Sequence, residues 1–175
     1  MAGLADAEIV VVGGGAVGAA VAYSLAKAGR TDILLVEKEG SVGAVTTAQA
    51  AGLVGQVRSS IDRIRLAMWS VATFSELERS AEAKPSWRQV GSLRIASTPE
   101  RAEEFGRMRA ACDAAGLPVE MIGAAEAERR WPGMRLGHAA AILWCPTDGY
   151  LQPYDLAASY QSEARKLGVG VARGP

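Results

Sequence analysis

The sequence predicts an α/β fold that opens with a parallel strand–helix–strand unit. Two observations carry this prediction. Two apolar runs without polar alternation, Ile9–Val12 and Ile33–Val36, flank a segment rich in helix-forming residues. Three consecutive glycines lie where the first run meets that segment. Two strands joined by a helical crossover of this length are expected to lie parallel in one sheet.

The first strand, Ile9–Val12, is expected to be buried on both faces, because it consists of β-branched residues only. A helix is predicted over residues 16–28, with Gly29 at the position of a left-handed cap. Its apolar side chains form one stripe: Val17, Val21 and Leu25. The second strand ends at Glu37.

Residues 38–56 form a stretch of small side chains, typical either of a backbone that approaches a ligand or of a flexible loop. An amphipathic helix follows. Its apolar residues recur at helical spacing: Ile61, Ile64, Met68, Val71 and Leu77. We interpret this stripe as core-facing.

The second half begins with a predicted strand over residues 90–96. Thr98 is expected to cap the next helix, with Pro99 at its first position, and Gly116 ends it. Phe105 and Met108 should point inward. Further elements are predicted as a strand over 119–122, a helix over 124–130, a strand over 140–144, a helix over 154–167 with Leu156, Tyr160 and Leu167 on one face, and a strand from residue 169.

Composition sets limits on function. The 175 residues are 49% apolar and 22% charged, as in globular proteins, and 19 basic residues balance 19 acidic ones. We therefore expect no nucleic-acid or membrane partner. Cys112, Cys145 and the single histidine share no metal-ligand spacing, so no metal site is predicted. Acidic residues near the amino terminus do not fit a secretory signal, and we expect a cytoplasmic protein.

The glycine cluster is the part of the sequence that indicates a binding function. Gly13, Gly15 and Gly18 form a G-x-G-x-x-G pattern between strand and helix, and Glu37 ends the next strand. In a Rossmann-like unit the first glycine permits the turn, the second lets a pyrophosphate approach, and the third lets the helix pack on the sheet. The carboxylate can accept hydrogen bonds from ribose hydroxyls. The pattern predicts a dinucleotide, and both NAD and FAD fit it.

Several segments resemble one family. They comprise residues 10–18, 36–38 and 46–54, and later 87–94, 98–101, 131–132 and 146–150. Together they are similar to the amino-terminal part of FAD-dependent amine oxidoreductases of the D-amino-acid-oxidase superfamily, and most of all to its dimethylglycine and sarcosine dehydrogenase branch.

The resemblance implies positions for FAD. The pyrophosphate would lie at Ala16 and Val17, and the adenosine ribose at Glu37 and Lys38. The segment from Thr46 and Thr47 to Gly52 would lie along the flavin. Many dehydrogenases of this branch carry a histidine, linked covalently to the flavin, where this chain has Gln49. Noncovalent FAD is therefore expected.

The resemblance also implies an organisation. Residues 1–85 would form the FAD-binding part and residues 86–150 part of an α+β substrate domain, while residues 151–175 return to the FAD-binding part. Since relatives are longer, the chain is expected to be truncated or completed by another polypeptide or a second copy. The implied reaction oxidises a small secondary or tertiary amine, such as an N-methylated amino acid, by hydride transfer to flavin N5.

No residue is assigned a catalytic role. Arg58, Arg88 and Arg94 are candidates for holding a substrate carboxylate, although solvated arginines are the simpler interpretation of each. Two alternatives stay open beside amine oxidation. One is an NAD-linked dehydrogenase, which the irregular segment 38–56 disfavours. The other is a truncated subunit without catalytic activity.

Overall fold

The computed structural model describes residues 6–174. Residues 1–5, the beginning of the predicted FAD-binding part, and Pro175, the end of the predicted third segment, lie outside the described residues. The helices are α1 (Ala16–Lys27), α2 (Ile61–Ser80), α3 (Pro99–Ala115), α4 (Ala124–Arg130) and α5 (Pro153–Lys166). The strands are β1 (Ile9–Val12), β2 (Ile33–Glu37), β3 (Leu53–Val54), β4 (Arg88–Gln89), β5 (Ser92–Ala96), β6 (Glu120–Met121), β7 (Ala141–Cys145), β8 (Gly149–Tyr150) and β9 (Gly170–Arg173).

The chain divides into two compact units. The first contains the described residues up to Gly52, Phe74–Trp87 and the residues from Leu151 onward, and the second contains Leu53–Thr73 and Arg88–Tyr150. The sequence placed residues 53–73 with the first part instead. They belong to the second unit because β3 pairs with β8. This pairing joins residues far apart in the chain, so no local sequence pattern predicts it.

The first unit has a parallel sheet, as predicted. Its strand order is β1-β2-β9, and both pairings are parallel. Helices α1 and α5 belong to the same unit. They contact each other through Tyr23 of α1 and Tyr160 of α5, whose ring centroids lie 5.4 Å apart. The α/β fold class is confirmed.

Two burial predictions for this unit are wrong. Strand β1 is not buried on both faces, since Val10 is 52% and Val12 83% exposed. It forms an edge of the described sheet, and one of its faces is open. The predicted stripe of α1 is also misplaced, because Val17 is 79% exposed. The buried side of α1 consists instead of small residues and one aromatic ring: Ala19, Ala22, Tyr23 and Ala26.

Predicted helix ends are confirmed where a cap residue determines them. The hydroxyl of Thr98 accepts a hydrogen bond from the backbone of Arg101 at the start of α3. Gly116 ends that helix at φ +81°, and Gly29 follows α1 at φ +83°. Only glycine adopts such angles without strain.

The second unit contains two antiparallel sheets, β3-β8-β4 and β5-β7-β6. Its main core gathers residues from several elements: Val57, Ile64, Ala96, Phe105, Cys112, Leu117, Val119, Leu143 and Cys145. The predicted inward positions Ile64 and Phe105 are thus confirmed, and Met108 packs against the same cluster.

Two smaller differences have local causes. The strand predicted over 90–96 begins only at Ser92. Gly91, just before it, has φ +74° and lies where a Cβ would overlap the Trp144 ring. Leu167 is 48% exposed because α5 ends one residue earlier.

Among the helices of residues 6–174, none has the length and apolar character that a membrane crossing requires.

Candidate functional site

The turn after β1 depends on its glycines. The Gly13 amide donates to the Val36 carbonyl at 2.7 Å, and Gly13 adopts φ +102°. A Cβ on Gly18 would lie 1.8 Å from the Gly13 carbonyl oxygen. The first glycine therefore makes the turn, and the third lets the start of α1 approach it closely.

The Glu37 carboxylate holds the same turn from the end of β2. Its Oε2 accepts from the Gly14 amide at 2.6 Å and its Oε1 from the Glu39 amide at 2.9 Å. The side chain is buried. The pKa of the carboxyl is lowered, chiefly by the Glu39 amide and also by the Gly14 amide, although burial opposes this. The group is thus an anion engaged with main chain.

Thr47 joins the small-residue segment to the start of α1. Its Oγ1 accepts from the Ala16 amide at 3.0 Å, and a Cβ on Gly15 would lie 3.0 Å from that oxygen. Accepting through oxygen leaves the hydroxyl hydrogen available as a donor. The Gly43 amide donates to the Gly14 carbonyl at 3.1 Å, which ties the segment to the turn a second time.

These parts surround one cavity of about 450 Å³ in the first unit. It is lined by two turn glycines, the ends of β1 and β2, and the small-residue segment: Val12, Gly13, Gly15, Val36, Glu37, Lys38, Glu39, Gly43, Ala44, Val45, Thr46 and Thr47. The lining is mostly backbone and short side chains, with a buried carboxylate at one position.

The cavity unites six of the predicted cofactor residues: Gly13, Gly15, Glu37, Lys38, Thr46 and Thr47. Ala16 reaches its lining through the hydrogen bond to Thr47. Four predicted residues do not line it. Val17 is exposed on α1, and Gly18 packs on Gly13. Gln49 is exposed, and Gly52, at φ +73°, lies where a Cβ would be 2.1 Å from the Leu151 carbonyl oxygen.

Sequence reasoning missed Gly14. It stands at a variable position of the glycine pattern, so nothing marked it except that it is the middle of three consecutive glycines. A Cβ there would lie 2.9 Å from Val42 Cγ1 and 3.1 Å from Glu37 Oε2. Gly14 is therefore required for the contact between the turn and the carboxylate.

The residues present fit the diphosphate and ribose of a dinucleotide. The first turn of a helix presents amides without intrahelical partners and a positive dipole end, both favourable for an anion. Gly15 leaves space there, since the nearest neighbour of its missing side chain is the Thr47 hydroxyl. The Glu37 oxygens accept hydrogen bonds from the Gly14 and Glu39 amides, and a carboxylate has acceptor sites for more.

The thiol of Cys145 is no candidate nucleophile. It is 1% exposed, and burial raises the pKa of the thiol to about 11. Cys145 therefore serves as a small buried apolar residue of the second unit's core.

Comparison with known proteins identifies the family. The model of the DAO family, described as FAD dependent oxidoreductase, matches residues 8–175. Dimethylglycine dehydrogenase, mitochondrial, from Rattus norvegicus is 34% identical over 93% of this chain and 19% of its own length. The 4-methylaminobutanoate oxidase (formaldehyde-forming) of Paenarthrobacter nicotinovorans is 32% identical over 93% of this chain and 20% of its own length.

A solved structure agrees. L-proline dehydrogenase from P. horikoshii superposes with a TM-score of 0.88 at 27% identity, over 96% of this chain and 44% of that chain. The chain thus spans about a fifth of the curated relatives' length. The predicted resemblance is confirmed, and FAD rather than NAD is the cofactor of this family. The chain belongs to the DAO family of FAD-dependent oxidoreductases.

Proposed function

We propose that the chain supplies the FAD-binding part of an oxidoreductase that acts on a small secondary or tertiary amine, such as an N-methylated amino acid. The observation that carries the proposal is the cavity that joins the start of α1 to the Glu37 carboxylate. Relatives named for dimethylglycine and for a methylamino acid support the substrate class.

The chain's own groups would bind and orient the cofactor. The amides at the start of α1 and the Thr47 hydroxyl would hold the diphosphate, while Glu37 would accept from the adenosine ribose. When bound, FAD supplies the acceptor at N5 for the hydride that leaves the carbon next to the amine nitrogen. Glu37 also repels a 2′-phosphate on the ribose, which excludes phosphorylated dinucleotides.

A titration with FAD tests this function. The chain should take up FAD with quenching of flavin fluorescence, and anaerobic N,N-dimethylglycine should bleach the flavin absorbance once the proposed partner completes the chain. Gly15→Val should abolish uptake, because its side chain enters the cavity beside Thr47. Gly137→Ala, at an exposed position with open space for a Cβ, should leave uptake unchanged. A chain that stays colourless with excess FAD would contradict the proposal and favour a subunit without catalytic activity.

The mode of attachment has its own test. Because glutamine is not a nucleophile toward flavin, acid precipitation of the FAD-loaded chain should leave the yellow colour in the supernatant. Colour that remains with the pellet would overturn the role assigned to Gln49 and indicate a covalent link elsewhere.

The proposed partners and location follow from the same reasoning. A complementing polypeptide or a second copy of the chain remains the partner proposed from the sequence. A cytoplasmic location remains the proposal made from the sequence.

A further inference from the structure

The carboxyl end of β9 binds both ends of a short segment beside the cavity. Strand β9 pairs in parallel with β2, and Arg173 is the partner of Glu37 in that register. One residue later, the Gly174 amide donates to the Glu37 carbonyl at 2.8 Å. Arg173 Nη1 donates to the Gly40 carbonyl at 3.2 Å. The end of β9 therefore fixes residues 37–40 at their first and last positions.

The segment between these two bonds contains the amide that holds the carboxylate. The Glu39 amide donates to Glu37 Oε1 at 2.9 Å, and it is the main cause of the lowered pKa of that carboxyl. A Cβ on Gly174 would lie 2.1 Å from the Lys38 carbonyl oxygen, so β9 lies directly against the backbone of the segment. Because Gly40 follows Glu39 directly, a shift of its carbonyl would also move the Glu39 amide.

Helix α5 holds the arginine in place. Gln161 is 4% exposed, and its Oε1 accepts from Arg173 Nη2 at 2.6 Å. The Nε2 of the same amide is buried and has no hydrogen-bond partner within residues 6–174. A buried donor without an acceptor destabilises the folded state. The chain thus keeps a polar side chain on α5 at a cost in stability, and the hydrogen bond that this side chain makes is the one with Arg173.

We infer that Arg173 is a positioning residue for the adenosine end of the cofactor. Its guanidinium has donors for both acceptors at once, and a charged donor strengthens each bond. Held by Gln161, it fixes the Gly40 carbonyl. The Glu39 amide then stays against Glu37, so the carboxylate is in place before the ribose arrives. Arg173 is not among the residues that line the cavity, so it acts through this segment. The inference rests on the proposed binding of FAD in this cavity.

Amide hydrogen exchange, followed by NMR, tests the arrangement without any ligand. In Arg173→Met, which removes both donor groups, the Glu39 amide should exchange about tenfold faster or more, as expected for the loss of a charged hydrogen bond. The Leu35 amide, in the middle of β2, reports global opening and should change little. An equal rise at both amides would mean general destabilisation, and unchanged exchange at Glu39 would mean that Arg173 does not hold the segment. Either result would overturn the inference.

Titration calorimetry with ADP, which carries the adenosine and diphosphate of FAD, tests the consequence for binding. Arg173→Met should weaken ADP binding by about threefold or more, since residues of one hydrogen-bond network are coupled on that scale. Arg173→Lys keeps the charge but lacks the planar fork, so it should restore only part of the affinity. Wild-type affinity in Arg173→Lys would mean that the charge alone attracts the diphosphate, which would overturn the inference.

An arginine at the other end of β2 provides the matched control. Arg30 is exposed and precedes the start of β2, whereas Arg173 pairs with its end. Arg30→Met makes the same change of charge and size and should bind ADP like the wild type. A loss equal to that of Arg173→Met would contradict a role specific to the segment.

Gln161→Met separates positioning from stability. Methionine has a similar size but no strong acceptor, so Arg173 loses its bond to α5, and ADP binding should weaken as in Arg173→Met. The buried amide without a partner disappears as well, and Arg173 is exposed, so water can replace the lost acceptor. The free energy of unfolding, measured with urea, should therefore not fall. Wild-type ADP binding, or a loss of stability together with the loss of binding, would contradict the positioning role.

The outcome separates this inference from the proposed function. A wild-type chain that binds ADP no more tightly than Arg173→Met overturns the inference alone. A chain that binds neither ADP nor FAD overturns the proposed function, and the exchange of the Glu39 amide then still decides whether Arg173 holds the segment.

Discussion

Gly18 and Gly106 both lie within helices, α1 and α3, but their surroundings differ. A Cβ on Gly18 would overlap the Gly13 carbonyl oxygen, whereas a Cβ on Gly106 meets nothing within 4 Å. Gly18→Ala should lower the free energy of unfolding by about 1–3 kcal/mol, because the start of α1 must move away from the turn. Thermal and urea unfolding measure this loss.

Gly106→Ala is the matched control. It should raise the free energy of unfolding by about 0.5–1 kcal/mol, since alanine is the better helix former and has room. If both variants changed stability in the same direction, the close approach of α1 to Gly13 would not be what excludes a side chain at Gly18.

Glu37 should make stability depend on pH in a definite direction. Its pKa in the folded chain lies below the ordinary value of 4.5, owing to the Glu39 and Gly14 amides. The unfolded chain therefore binds the proton more readily, and the stabilisation is complete above pH 4.5 and lost as pH falls through the lowered pKa. Urea unfolding of the wild type and Glu37→Gln from pH 7 to 3 should show a difference that shrinks below about pH 4.5. A difference independent of pH would contradict the ionised contact.

At the residue scale, site residues that belong to a motif of fixed spacing could be predicted. Contacts between side chains that form only in the folded chain could not. The glycine pattern and the strand-ending acid located the cavity because each residue type has one plausible use there. Gly14 was missed, since its requirement comes from Val42 and the Glu37 side chain, which only the folded chain brings near. Arg58 and Arg94 are likewise far apart in the sequence, but in the folded chain both side chains donate to the Val57 carbonyl oxygen.

At the scale of elements, α3 shows how much a cap contributes. Thr98→Ala removes the side-chain acceptor of the Arg101 amide and should lower the free energy of unfolding by about 1 kcal/mol. Urea unfolding measures the loss. Thr98→Ser keeps the oxygen and should retain most of the stability. A serine variant as unstable as the alanine variant would show that the hydroxyl does not act as the cap.

The elements divide according to where their information lies. Local residues such as Thr98 and Gly116 determine where α3 begins and ends, and a local residue also determines the end of α1. Those predictions are confirmed. The two-residue strands β3, β4 and β8 are defined by their partners, so no local run reveals them. The open face of β1 was unpredictable for a similar reason, because a run of valines does not tell which neighbours cover it.

At the scale of the whole molecule, the first unit exposes apolar surface on an edge strand. Val10 on β1 is 52% exposed, and edge strands with apolar faces favour association. The 175-residue chain should therefore self-associate as its concentration rises, and Val10→Lys should reduce this. Sedimentation velocity gives the measurement. Val90→Lys, at an exposed valine outside the strands, should have little effect, and equal association of both variants would contradict a role for the β1 edge.

The hydrogen bond between the Gly14 amide and Glu37 has a consequence for how a cofactor would enter. The turn is already fixed by side chain and main chain before any ligand arrives, so association requires little loss of conformational freedom. Exchange of the cofactor should then leave the surrounding backbone almost unmoved, and the rate of uptake should follow access from solvent rather than a rearrangement of the loop.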